Sequence, residues 1–213
     1  CDQMSELFSI QLQNRQQQGR DGIWLDLPTT TEQVQAALRQ IGISSDNPQG
    51  LFISGYFAEE EKRFAIPYNM VLASNVDELN FLASRLETLS TGERAELNAA
   101  LQAPQSELSS IGRITDFPEN VDYYVHLPDV RGPAQLGDYY LNRSGMVDMP
   151  EEWKGGIDTA QFGRYVAQQE QGAFTQYGYL VKSGDEWQKV HEGQPVPEEY
   201  RVTPQPPVQE KEQ

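Results

Sequence analysis

Residues Pro133–Gln171 read PAQLGDYYLNRSGMVDMPEEWKGGIDTAQFGRYVAQQEQ. Leu136, Tyr139, Tyr140 and Arg143 recur at helical spacing, and Gly145 stands where a C-terminal cap needs a left-handed backbone. Pro150 fixes φ where the EEWKGG segment begins. Ile157, Phe162 and Val166 resume an apolar stripe, with Asp158 placed to cap a second helix and favour its positive end. The stretch therefore predicts helix, glycine stop, short acidic segment, helix. It carries no reactive constellation. Acids stand beside aromatics instead: Asp138, Asp148, Glu151, Glu152 and Asp158 among Tyr139, Tyr140, Trp153, Phe162 and Tyr165.

Upstream, Phe8, Ile10 and Leu12 alternate with polar residues as a half-buried strand does, and Ile23–Leu27 follows a polar loop as its hairpin partner. Thr29 and Glu32 are spaced as a capping box before a short helix that Gly42 stops, with Val34, Ala37, Leu38 and Ile41 as its apolar face. Leu51–Phe57 reads as a third strand. The charge run Glu59–Arg63 reads as a solvated edge, and Phe64–Ala73, built around Pro67, as strand or irregular structure. Asn75 with Glu78, and Ser90 with Glu93, form capping-box spacings for two further helices. Val76, Leu79, Leu82, Ala83, Leu86 and Leu89 face inward on the first, and Leu97, Ala100 and Leu101 on the second. Pro104 opens a third short helix through Ile111. Val121–Leu127 reads as a strand. Ala173–Val181 and Glu186–Val190 read as a closing hairpin across Ser183–Asp185. From Pro195 the chain is proline-rich and polar, the composition of an extended tail.

These elements define an α+β chain of small modules in an elongated arrangement. Residues 1–73 form a three-stranded antiparallel sheet with a helix, 74–118 a small helical bundle, 119–194 an α+β module with a small sheet, and 195–213 a flexible tail.

The chain has 213 residues, with 32 Asp and Glu against 16 Lys and Arg, a formal charge of −16. Phosphates repel such a surface, so direct nucleic-acid binding is not expected, whereas basic partners are. The single cysteine, Cys1, leaves no disulfide framework and no cysteine zinc site; Met4 is a plausible natural start. No apolar run is long enough to span a membrane and no signal-peptide core is visible, which makes the cytoplasm the expected location. Enzyme chemistry has little to build on, for the histidines are His126 and His191 alone. There is no nucleophile elbow, P-loop or dinucleotide-binding fingerprint. His126 is expected in a sheet, its ring hydrogen-bonded. No cofactor and no metal are expected.

The acids are unevenly spread. Residues 1–76 hold 9 acids and 5 bases, 77–158 hold 15 and 6, and 159–213 hold 8 and 5. The excess lies on the central helices rather than on a tail. Asp77, Glu78, Glu87, Glu93 and Glu96 have no base three or four residues away, where a stability-optimised helix would place one. Unpaired acids on rigid helices suggest a negative surface kept for a basic partner. The candidate set is Asp77, Glu78, Glu87, Glu93, Glu96, Glu107, Asp116, Glu119, Asp122, Asp129, Asp138, Asp148, Glu151, Glu152 and Asp158.

LGDYYLNRSG, then Ile157–Asp158, then FGRY at Phe162–Tyr165 resembles the region that marks the ArdA family of antirestriction proteins. The resemblance extends to Gly22, Trp24 and Pro28, to Phe52, Ile53 and Tyr56, and to the DELN of Asp77–Asn80. It implies an acidic, non-catalytic dimer that mimics bent double-stranded DNA and occupies the DNA groove of type I restriction–modification enzymes, with the carboxylates above playing phosphates. Tyr139, Tyr140, Trp153 and Phe162 are then candidates for an isologous dimer interface. The chain departs from relatives at Gly55, Asn142 and Arg143, where acids are common, and Lys154 and Gly155–Gly156 interrupt the next segment. An alternative is an acidic module that sequesters another basic DNA-binding protein; a hydrolase using His126 is a third reading.

Overall fold

The computed structural model describes residues 6–17, 19, 21–46 and 48–204; Cys1, Met4 and the residues after Pro204 lie outside them. In chain order the elements are β1 (Phe8–Asn14), β2 (Ile23–Leu27), α1 (Thr31–Gln40), β3 (Leu51–Phe57), α2 (Tyr68–Leu72), α3 (Val76–Leu86), α4 (Thr91–Gln102), α5 (Ile111–Thr115), β4 (Tyr124–Leu127), α6 (Pro133–Asp138), α7 (Glu151–Lys154), α8 (Thr159–Glu170), β5 (Ala173–Thr175) and β6 (Gly178–Lys182). The protein is α+β, with two three-stranded antiparallel sheets among the described residues, ordered β2-β1-β3 and β4-β6-β5.

The chain divides into two compact units. Unit 1 comprises residues 1–88, 110–116 and 190–213, and holds the first sheet with α1, α2, α3 and α5. The alternation read in β1 is what the sheet uses: Phe8, Ile10 and Leu12 are buried, as are Leu25 and Leu27 across from them. Val34, Ala37, Leu38 and Ile41 of α1 are buried, and Gly42 takes φ +73° to end it. The cap of α1 is one residue later than its sequence spacing suggests. Thr30 accepts from the Gln33 N–H, while the Thr29 hydroxyl donates to Gln33 Oε1 and its N–H to Asn80 Oδ1, each at 2.8 Å. Where strand or irregular structure is expected around Pro67, the helix α2 starts directly after it, consistent with the proline's fixed φ at a helix start.

Unit 2 comprises residues 89–109 and 117–189, and holds α4, α6, α7 and α8 with the second sheet. The helices expected as one central bundle are thus shared out, α3 and α5 in unit 1 and α4 in unit 2. The helix expected from Pro104 to Ile111 is a turn region; Gln105 has φ +54°, and the helix forms later, with Ser110 capping Arg113. The expected strand from Val121 begins only at Tyr124, after a 3₁₀ stretch over Phe117–Tyr123. The closing hairpin also lies earlier than expected. Ala173–Val181 is not one strand but two, β5 and β6, turning at Gln176–Tyr177 into Gly178 at φ +117°; Glu186–Val190 forms no strand.

The stretch Pro133–Gln171 folds as helix, turn, helix. Helix α6 runs into a π-helical turn, Tyr139–Arg143, and Gly145 follows at φ +73°. Asp158 caps α8, accepting from the Ala160 and Gln161 N–H groups at 3.0 and 3.1 Å. Two glycines let α6 and α8 touch backbone to backbone. A Cβ on Gly163 would lie 1.8 Å from the Pro133 carbonyl oxygen, and one on Gly137 would lie 2.0 Å from that of Thr159. These are the glycines of LGDYY and FGRY. Beneath them Val130, Leu136, Ala167 and Tyr179 form a core, with Tyr139 and Tyr140 packed against it.

Candidate functional site: the acidic surface

The acids singled out from the sequence fall into two groups. Some are structural. Asp116 is fully buried, and its carboxylate accepts from the N–H groups of Val190, His191 and Glu192 at 3.2, 2.7 and 3.1 Å, tying that loop into unit 1. Charge-assisted bonds to three consecutive amides make it a structural anchor rather than a surface charge. Asp77 is half-buried: Oδ1 accepts from the Val202 and Thr203 N–H groups, each at 2.9 Å, and Oδ2 from the Thr203 hydroxyl at 2.8 Å. This also corrects the first part of the expected tail, because Thr203 is anchored and Val202 is buried; residues 205–213 lie outside the described residues.

Glu93 spends its carboxylate on the cap of α4, accepting from Ser90 N at 2.9 Å while Ser90 Oγ accepts from Glu93 N at 3.2 Å. Glu107 accepts from the Tyr123 hydroxyl and the Lys182 ammonium. Glu96 departs furthest from expectation. Its Oε2 is buried with no hydrogen-bond partner among the described residues. Burial, reinforced by the negative charges of Glu93 and Asp122, pushes its carboxyl up to about 8. Glu96 is therefore mostly protonated at neutral pH and mimics no phosphate there.

The second group faces solvent: Glu78 and Glu87 in unit 1, and Glu119, Asp122, Asp129, Asp138, Asp148, Glu151, Glu152 and Asp158 in unit 2. Several of these have close polar neighbours, Asp158 among them through its cap of α8. Glu78 accepts from Ser74 Oγ at 2.8 Å, Glu151 pairs with Lys154 at 2.9 Å, and Asp138 accepts from the Asn142 amide at 2.8 Å with the Arg143 guanidinium 3.9 Å away. Arg143 also lies over the Tyr139 ring. Asn142 and Arg143 thus act on one carboxylate, softening the charge at Asp138. Unit 2 as a whole carries 14 acids against 7 bases.

The aromatics divide similarly. Tyr139 and Tyr140 flank the core, in an edge-to-face pair at 5.3 Å, and Phe162 is half-buried. The two tyrosines are core-supporting residues first. Trp153 is 65% exposed, and Tyr165, which the spacing argument left out of the interface set, is 60% exposed. Glu170 is a further residue that sequence reading passes over. It accepts from the Tyr140 hydroxyl and, at 2.6 Å, from that of Tyr179, clasping the π-helical turn to the second sheet through α8. Burial and then this hydrogen bond raise both phenols above their ordinary range. No local spacing signals the clasp, because its members are brought together only by the fold.

His126 lies on β4 opposite Leu180, its Nε2 hydrogen-bonded to the Tyr177 carbonyl at 2.7 Å. Among the described residues, no helix is long and apolar enough to cross a membrane.

The carboxylates of this acidic α+β chain are thus divided among backbone anchors, side-chain partners and solvent. The family model described as antirestriction protein (ArdA) matches residues 18–181, and the chain belongs to that family of antirestriction proteins. A search of curated proteins finds no match.

Proposed function

We propose that the protein inhibits type I restriction–modification enzymes by presenting its exposed carboxylates in place of DNA phosphates and competitively occupying their basic DNA groove, making and breaking no bond. Family membership supports an antirestriction role, and the observation that carries the finer reading is that eight of the candidate acids are exposed in unit 2. Duplex DNA carries one charge per about 1.7 Å of axis, so a net charge of −16 matches roughly 27 Å of duplex. A second copy doubles that length, and exposed Trp153 and Tyr165 offer it an apolar contact. Charge of one sign also steers association with a basic groove.

The test is competition. Purified protein should lower the affinity of a type I enzyme for labelled duplex DNA and slow its cleavage, with inhibition weakening as salt rises. Inhibition that excess duplex fails to relieve refutes competitive mimicry, as does a clear gel shift of duplex DNA by the protein itself.

A further inference from the structure

The outer face of the first sheet is not part of the phosphate-like set, yet it is built for contact. Strand alternation places Ser9 and Gln11 of β1, Trp24 and Asp26 of β2, and Gly55 and Phe57 of β3 on the side away from the core. The register sets Gln11 between Trp24 and Gly55, and Ser9 between Asp26 and Phe57. The Trp24 indole reaches across Gln11 until its Cη2 would be 3.1 Å from a Cβ on Gly55. Gly55 thus gives the ring a flat bed. Trp24 nevertheless remains 49% exposed and Phe57 55%.

Carboxylates gather at the Phe57 end. Ser9 donates to Asp26 at 2.5 Å. The Glu6 carboxyl is raised above its usual range, first by a hydrogen bond with Asp26, then by the Asp26 charge, and in smaller part by burial and Glu59. Beside them a depression of about 50 Å³ is bordered by Glu6, Ser9, Phe57, Glu59 and Lys62. Among the described residues, Glu6 and Glu59 border it with one lysine and Asp26 lies against Glu6, which leaves the site short of positive charge, with an aromatic ring on one side.

We propose that this face docks an arginine-bearing segment of a protein partner, with the guanidinium in the depression between the carboxylates and against Phe57, and the residues next to it lying on Trp24. Arginine fits better than lysine, because its planar fork can bond two carboxylates while stacking on an aromatic ring. A nucleic-acid base could stack on Trp24, but its phosphates would meet the three acids. The inference rests on the reading that the partner is basic. It adds a recognition element of aromatics and clustered acids that phosphate spacing alone does not supply.

The experiment is a nuclear magnetic resonance titration of the full-length chain with a capped Arg-Gly-Arg peptide, and with its lysine and citrulline counterparts. The arginine peptide should shift the Trp24 indole N–H and the amides of Ser9, Asp26 and Phe57; the lysine peptide should bind several-fold more weakly and the citrulline peptide not at all. Asp26→Asn with Glu59→Gln should weaken binding about tenfold or more, Trp24→Ala should weaken it with the fold intact by circular dichroism, and Lys62→Gln should tighten it. Equal binding of the citrulline peptide, shifts spread over the acidic helices without preference for the sheet, an unaffected double variant, or the same shifts from an oligo-dT strand would each overturn the proposal. Failure here with competitive inhibition intact removes this proposal alone. Peptide binding intact without inhibition of the restriction enzyme removes the mimic reading.

Discussion

Replacing Gly163 by alanine tests the contact on which the α6–α8 pair depends. The new methyl carbon would stand 1.8 Å from the Pro133 carbonyl oxygen, 2.7 Å from its carbon and 2.9 Å from Gly137 N. Comfortable carbon–oxygen contacts begin near 3.3 Å, so the backbones must separate by roughly 1.5 Å. All three atoms are backbone, and no flexible side chain can move aside. Overpacking of this kind costs about 1–3 kcal/mol, and the better helix propensity of alanine returns at most about 1 kcal/mol. The net loss of about 1–2 kcal/mol lowers Tm by about 2–8 °C at this chain length. Gly92 on α4 is the internal control, since a Cβ there meets nothing within 4 Å. Gly92→Ala should gain up to about 1 kcal/mol from propensity alone. Urea denaturation of the two variants beside the parent reads both signs at once. If Gly163→Ala is as stable as Gly92→Ala, the two helices do not meet through their glycines and the argument for the motif is wrong.

Glu96→Gln should change how stability depends on pH. The folded carboxyl is raised to about 8 against an unfolded value near 4.3, so the native state holds a proton that the unfolded chain releases; parent stability falls from about pH 4 to about pH 8 and then levels. The glutamine variant should lack that fall, gaining on the order of 1–2 kcal/mol at pH 8 after allowance for partial exposure; identical pH profiles would refute it. Asp116→Asn sets an amide against backbone N–H groups and should cost about 2–4 kcal/mol in thermal or urea unfolding. Asp77→Ala should leave most of the fold but expose the segment around Val202 to limited proteolysis. For inhibition, any single change among Glu119, Asp122, Asp129, Asp148 and Glu152 should weaken potency less than about tenfold, and all five changed to Asn or Gln should remove most of it and flatten its salt dependence. One single change that abolishes inhibition in a folded protein would refute a distributed charge surface.

Much of the fold was legible because it is local. Period-two burial in β1, the reciprocal Ser90–Glu93 cap and the Asp158 cap are each written within a few residues. The misreadings are long-range or turn-dependent. Thr30 rather than Thr29 caps α1, and the Thr29 N–H is held by Asn80, a residue far along the chain that no local spacing reveals. The second hairpin hides inside AFTQYGYLV because its turn depends on Gly178, which sits in what looks like a continuous strand. The composition from Pro195 onward suggests a free segment because it does not show the Asp77 carboxylate that holds Val202 and Thr203.

The same distinction decides how a negative surface should be read. A missing base three or four residues away identifies an acid without a helical partner, but not an acid without any partner. Asp77, Glu93 and Glu96 pass that spacing test equally, and none of them is a free surface charge: one bonds a remote backbone, one caps its own helix, and one is buried and largely neutral. Glu78 and Glu87 pass it and remain exposed. Amides that need an acceptor recruit carboxylates to the interior and to helix ends, so part of the formal charge of −16 is committed to folding before any partner arrives. The remainder stays on the surface, and in unit 2 it lies largely on the 3₁₀ stretch, the loops and the helix starts around α6, α7 and α8 rather than on the long helix α4. Substitutions along α4 should therefore perturb stability first, whereas under the proposed mimicry substitutions at Glu119, Asp122, Asp129, Asp148 and Glu152 should weaken inhibition while leaving stability nearly unchanged.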